Sequence, residues 1–234
     1  MVQNSNNTLY FGTGNNYGLP PSKSSDSIVA LNSRNGDLKW HYQAIEGDSW
    51  LPKEKYGPDY DFGAIPILFN NMVGIGNKNG YFYTLNKYTG QLIWKTFCNV
   101  QNKNDDGIRS KASYKDGRVY IWSKNEQPEN SITVCCLDAN NGDVIWHKTS
   151  DGTNAMSNGE IINDLYFVPN YKGQINAFRL SDGELVWSGS IPKASIGSSI
   201  CCVKDRIIVG TGVPKLYGGN PNVYGVYSFS LQGA

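Results

Sequence analysis

Five cysteines, two histidines and a short acidic segment are the residues of this 234-residue chain whose types invite chemistry. The cysteines are Cys98, an adjacent pair Cys135-Cys136 and a second pair Cys201-Cys202. Consecutive residues of a strand point to opposite faces, so each pair is expected to remain two free thiols. A ring disulfide between neighbours would distort the peptide and break the strand. Zinc chemistry is not expected either: there is no Cys-x-x-Cys spacing, and His41 and His147 each follow a Trp with no second ligand nearby. Asp59 and Asp61 flank Tyr60, Asn15 stands in Gly-Asn-Asn, and Lys78 in Asn-Lys-Asn-Gly. Read by residue type alone, these carboxylates make turn hydrogen bonds, Asn15 tolerates a left-handed turn position, and Lys78 is a solvated ammonium.

The elements that position these residues follow from composition. Hydrophobic residues make up 39% of the chain and charged residues only 18%, with 26 Gly, 15 Tyr and 6 Trp. Such a chain suits strands and tight turns, and a helical bundle is excluded. The net charge is +1, so no overall basic field exists to hold nucleic acid or an anionic membrane. No apolar run approaches the roughly 20 residues of a membrane span. The polar start Met1-Val-Gln-Asn-Ser-Asn-Asn7 lacks the apolar stretch of a secretory signal. The expectation is a protein that stays in the cell, or a chain that begins downstream of a leader.

Four segments share an eleven-residue frame: Ala30–Trp40, Thr84–Trp94, Cys136–Trp146 and Ala177–Trp187, with Gly36, Gly90, Gly142 and Gly183 at its seventh position. The tryptophans recur after 54, 52 and 41 residues. A period near 40 to 50 residues, with strands and no helical pattern, indicates propeller blades. In each frame a strand ends in a small residue and a hydrophobe, a polar turn closes on a Gly able to take positive φ, and the next strand carries the Trp. Two more strand-like pieces precede each frame, giving four strands per unit. Large indoles at fixed positions bury against neighbouring units, which no single unit achieves alone.

The predicted architecture is therefore all-β: a partial propeller of units 8–45, 62–98, 107–149, 154–191 and 195–234. Three units read as complete four-stranded blades. The first lacks a clear inner strand and the last an outer one. Closed propellers complete one blade with strands from both termini, which the few residues before Thr8 do not allow. The pattern is that of an arc of a larger ring.

The frame Ala-Leu-Asn-x-x-x-Gly-x-x-x-Trp resembles the tryptophan-docking repeat of the quinoprotein alcohol dehydrogenases, eight-bladed propellers that use pyrroloquinoline quinone and calcium. The resemblance covers nearly the whole chain and matches that family's later blades. Thr13-Gly-Asn-Asn16, Asp26-Ser-Ile-Val-Ala-Leu31, Lys39-Trp-His-Tyr-Gln43 and Gly47-Asp-Ser-Trp50 follow the family order. Gly57-Pro-Asp-Tyr-Asp-Phe-Gly-Ala64 looks like the polyvinyl-alcohol dehydrogenase branch. Three residues match site positions. Asn15 corresponds to the family's amide ligand for calcium, a hard-oxygen donor suited to that ion. Asp61 corresponds to the catalytic Asp that lies beside the metal and takes the alcohol proton. An alignment through Trp50 instead places Leu51 there, leaving no base. Lys78 corresponds to the cation that contacts the quinone.

The family's acidic calcium ligand and its adjacent-cysteine disulfide come from earlier blades, and neither cysteine pair here matches that position. The resemblance thus implies a quinone- and calcium-dependent dehydrogenase that works only when completed by N-terminal blades, on another chain or from a self-associating copy. The other expectation is a non-catalytic propeller serving as a binding or structural scaffold.

Overall fold

Strands such as Tyr81-Phe-Tyr-Thr-Leu-Asn86 place aromatic and aliphatic side chains on both faces, as a strand buried between two layers requires. In the computed structural model, which describes residues 1–4, 6–50, 59–100, 107–125, 127–152, 157–203, 205–215 and 220–230, nineteen strands form five antiparallel sheets. No α-helix occurs among the described residues. Blade 1 comprises β1 (Val2–Asn4), β2 (Thr8–Gly12), β3 (Ser27–Asn32) and β4 (Leu38–Gln43). Blade 2 is β5 (Ile67–Phe69), β6 (Met72–Gly76), β7 (Tyr81–Asn86) and β8 (Leu92–Phe97). Blade 3 is β9 (Ser113–Lys115), β10 (Arg118–Lys124), β11 (Ser131–Asp138) and β12 (Val144–Asp151). Blade 4 is β13 (Glu160–Ile162), β14 (Leu165–Pro169), β15 (Gln174–Arg179) and β16 (Leu185–Ser190). Blade 5 shows β17 (Cys201–Val203), β18 (Arg206–Thr211) and β19 (Gly225–Ser230).

Blade 1 holds one strand more than the sequence pattern marks. Val2–Asn4 pairs with β2, Val2 opposite Tyr10, so four sheets are four-stranded where three were expected. The strand escapes a reading by periodicity because it has three residues, two of them polar. A tight turn with Asn7 at φ 51° returns the chain to β2.

The frame explains how blades join. In each complete blade the third and fourth strands slip register by one residue just before the Trp, which then stands opposite the frame's first residue: Trp40 with Ala30, Trp94 with Thr84, Trp146 with Cys136, Trp187 with Ala177. The small partner leaves the indole free to reach across. Trp40, Trp94 and Trp146 donate through Nε1 to the carbonyls of Lys87, Ala139 and Leu180 of the following blade, at 3.2, 3.3 and 2.9 Å. Each of those carbonyls lies three residues before a frame glycine, and the indole covers that glycine. A Cβ on Gly90, Gly142 or Gly183 would stand 2.5–2.7 Å from the ring, and all three have φ of 73–78°. Both facts require glycine.

Four apolar clusters fill the gaps between the five blades. Cys135 belongs to the cluster between blades 2 and 3, and Cys136 to the one between blades 3 and 4. The adjacent thiols thus face opposite ways, as strand alternation demands.

Candidate functional site

Three connections at one end of blades 1 and 2 meet: the loop after β2, the segment 59–66 that leads into β5, and the turn between β6 and β7. The turn Asn77–Gly80 is fixed by its own side chains. Gly80 N donates to the Asn77 carbonyl at 3.1 Å, Asn79 N to Asn77 Oδ1 at 2.8 Å, and Tyr81 N to Asn79 Oδ1 at 3.1 Å. The acidic segment is laid between this turn and the first blade. Asn77 Nδ2 donates to the Tyr60 carbonyl at 2.7 Å, Lys78 N to the Asp61 carbonyl at 3.1 Å, and Phe62 N to the Thr13 carbonyl at 3.2 Å.

This backbone framework brings Asn15, Asp61 and Lys78 into one cluster. Lys78 Nζ lies 2.9 Å from Asp61 Oδ2 and 2.8 Å from Asp59 Oδ1. Asn15 Nδ2 donates to the same Asp59 oxygen at 2.6 Å. Asp59, rather than Asp61, is therefore the carboxylate that faces Asn15, while Asp61 is the one joined to Lys78 alone of the two. Leu51, the alternative to Asp61, lies outside the described residues. Lys78 is largely buried, a bridging cation rather than the solvated ammonium that its residue type suggests.

Sequence reasoning gave Asp59 turn hydrogen bonds and gave Asp26 and Asp48 no role, yet the three complete an acidic centre. All three are buried, Asp26 fully. Asp48 Oδ2 accepts from Tyr60 N at 3.3 Å. Asp26 sits at φ 51° immediately before β3, with both of its carboxylate oxygens buried. For Asp59 a signal existed: residues i and i+2 of an extended segment point the same way, so one cation can serve both members of Asp-Tyr-Asp. For Asp26 and Asp48 no local signal distinguishes them from turn aspartates.

Burial sets the electrostatics. Loss of water pushes the Asp26 carboxyl up to about 7, with the charges of Asp48, Asp61 and Asp59 adding to the effect and Ser25 opposing it. Asp48 is also raised, chiefly by burial and then by Asp59 and Asp61, against the amides of Tyr60 and Ser49. Asp61 is raised by burial despite the Lys78 ammonium beside it, with Asp59 repelling and Arg109 attracting its charge. For Lys78 burial alone favours the neutral amine, but the hydrogen bond to Asp59 and the charge of Asp61 outweigh it and hold the ammonium.

The centre has the donor types for a hard cation, and in part the donors themselves. Asn15 Oδ1, Asp61 Oδ1 and Asp48 Oδ1 are buried acceptors without a partner. Calcium takes about six to eight oxygens. Among the described residues no group of three or more His, Cys, Asp or Glu side chains is arranged to hold a metal ion. These oxygens are donor types that suit a hard cation, and the Lys78 ammonium is a type that suits an anion.

A family model, PQQ_2, described as outer membrane protein assembly factor BamB, matches residues 24–228. The polyvinylalcohol dehydrogenase of Sphingopyxis sp. (strain 113P3) is 24% identical over 262 residues, covering 97% of this chain and 40% of that protein. The quinoprotein alcohol dehydrogenase PedH of Pseudomonas putida is 34% identical over 101 residues, 37% of this chain and 16% of that protein. A solved quinohemoprotein alcohol dehydrogenase, ADHIIG from Pseudomonas putida HK5, superposes on 100% of this chain with a TM-score of 0.69 at 17% identity, a likeness of fold. That superposition takes in 48% of the solved chain. The present chain spans less than half the length of each.

Proposed function

The chain belongs to the PQQ_2 family, and on that premise we propose that it is the part of a quinone- and calcium-dependent alcohol dehydrogenase propeller that carries the proton-accepting carboxylate. The observation that carries this reading is the pairing of Lys78 with Asp59 and Asp61 beside the unpartnered oxygens of Asn15 and Asp61. When bound, pyrroloquinoline quinone supplies a two-electron acceptor and calcium a Lewis acid.

This chain's own residues do the rest. Asn15 Oδ1 would hold one side of the cation, with the Asp61 carboxylate beside it. Lys78 offers its charge to the acceptor where negative charge develops. Asp61 takes the hydroxyl proton of the alcohol at Oδ1. The remaining donors come from blades outside this chain, so the 234 residues alone bind the pair weakly and turn nothing over.

Calorimetric titration of the purified chain with calcium and pyrroloquinoline quinone tests the reading. The expected result is weak saturable binding, reduced about tenfold or more by Asp61→Asn or Lys78→Met. Binding that neither substitution changes, or none at all, supports the second reading, a non-catalytic scaffold. The description of the family as an assembly factor favours that reading.

A further inference from the structure

All five cysteines are free thiols, and two of them face each other across the gap between blades 2 and 3. On β8 the side chains of Trp94 and Thr96 are turned towards blade 3. Trp94 Nε1 donates to the Ala139 carbonyl at 3.3 Å, and Thr96 Oγ1 to the Gly142 carbonyl at 2.6 Å. Alternation gives Cys98, two residues further on, the same direction, while its N–H stays tied to the Gly80 carbonyl of its own blade at 2.9 Å. From the other side, Cys135 and Leu137 of β11 are turned to blade 2 and share one apolar cluster with Trp94 and Cys98. Both cysteines are buried, Cys98 at 1% and Cys135 at 2% exposure.

The meeting is built into the repeat. Cys98 stands four residues after the frame Trp of blade 2, and Cys135 one residue before the frame of blade 3. In the gap between blades 1 and 2 the same positions hold Ala44 and Tyr83, which also pack in a single cluster. Between blades 3 and 4 they hold Ser150 and Asn176. Among the described residues, only the gap between blades 2 and 3 sets thiol against thiol. The alternation that turns Cys135 away from Cys136 is what leaves it for Cys98: Cys136 belongs to the next gap, and Cys201 and Cys202 lie on β17 of blade 5. Burial, and then the neighbouring Cys135 thiol, push the Cys98 thiol well above its ordinary value. It is therefore a protonated, slow nucleophile while the blades stay closed.

We infer that Cys98 and Cys135 are an oxidation site, the two halves of a disulfide that ties blade 2 to blade 3 when the chain meets a small-molecule disulfide. This goes beyond the proposed catalysis and holds equally for a scaffold. In the first step one cysteine, as its thiolate, attacks the reagent, whose S–S bond breaks as a reagent thiolate leaves. In the second the other cysteine gives up its proton and attacks the mixed disulfide, releasing the second reagent thiol. Two protein S–H bonds become one S–S bond, and the reagent, reduced by two electrons, takes both protons. The new bond closes the loop of residues 98–135, which restricts the unfolded chain more than the folded one and so favours the folded state.

The test equilibrates the folded chain with oxidised glutathione, without denaturant, until its mass stops changing. The remaining thiols are then alkylated in urea and the peptides mapped by mass spectrometry. Expected are a cross-linked peptide pair joining Cys98 to Cys135, lighter by two hydrogens than the separate peptides, and an alkylated Cys136. The urea midpoint of the oxidised chain should lie above that of the reduced one and return to it on adding dithiothreitol. Cys98→Ala should abolish the rise, and Cys136→Ala should keep both the cross-link and the rise. Cys98 and Cys135 both recovered alkylated overturns the inference. So does either of them joined to glutathione or to another cysteine in place of its partner, or a rise that survives in Cys98→Ala.

Discussion

The Asp59 carboxylate and the Lys78 ammonium meet at 2.8 Å in a nearly buried setting, and the same ammonium reaches Asp61 at 2.9 Å. Removing the cation leaves two buried carboxylates facing each other. Lys78→Met should therefore destabilise the chain by about 3–5 kcal/mol at pH 8. The loss should shrink at pH 5, where a carboxyl raised by burial takes up a proton. Urea unfolding of both proteins at the two pH values measures this, and an unchanged midpoint at pH 8 would show that Lys78 bridges nothing of consequence.

Asp26 predicts a pH dependence of the opposite kind. Its folded-state pKa of about 7 lies above the unfolded value of about 4, so the folded state binds the proton more tightly. The stabilisation is present below the unfolded pKa and is lost as pH rises from about 4 to about 7. The limiting slope is about 1.4 kcal/mol per pH unit. Asp26→Asn keeps a side chain that tolerates the positive φ and removes the titration. The variant should be the more stable protein at pH 8 and should lose that advantage towards pH 4. Parallel pH profiles for the two proteins would rule this out.

The frame glycines give a comparison within one fold. Gly36→Ala places a methyl in open space and costs only backbone strain, about 1 kcal/mol. Gly142→Ala has the same strain and also drives a Cβ to 2.6 Å from the Trp94 ring, so about 2–5 kcal/mol is expected. Denaturant midpoints of the two variants decide it. Equal losses would mean that the indole does not rest on the glycine.

The tryptophans should rank by what covers them. Trp94 is 8% exposed, and Trp94→Ala should cost about 3–5 kcal/mol. Trp187 is half-exposed, with an edge contact to Phe229, and its replacement by Ala should cost less. Unfolding of both variants in guanidinium tests the order.

Legibility in the sequence followed the physical range of each interaction. The four frames were readable because the bulge, the tight turn and the indole socket each constrain a residue type at a fixed local spacing. β1 was not, since three residues with two polar side chains carry no period. The meeting of Asn15, Asp61 and Lys78 came from a resemblance, not from their residue types, which read as three unrelated turn residues. Asp59 was undervalued because its relation to Asn15 spans 44 positions in the chain. Asp26 and Asp48 become distinctive only through burial, which depends on how the segments around them fold back.

Because Trp40, Trp94 and Trp146 find their carbonyl partners 47, 45 and 34 residues further along the chain, a blade leaving the ribosome is unfinished until the next has been made. Its sheet can pair locally, but its indole stays wet for the time needed to synthesise most of another repeat. Closure then proceeds in one direction only, each newcomer sealing its predecessor. A pause in translation within a frame would leave the aromatic side chain of the previous blade exposed, and the place of the pause would fix which one.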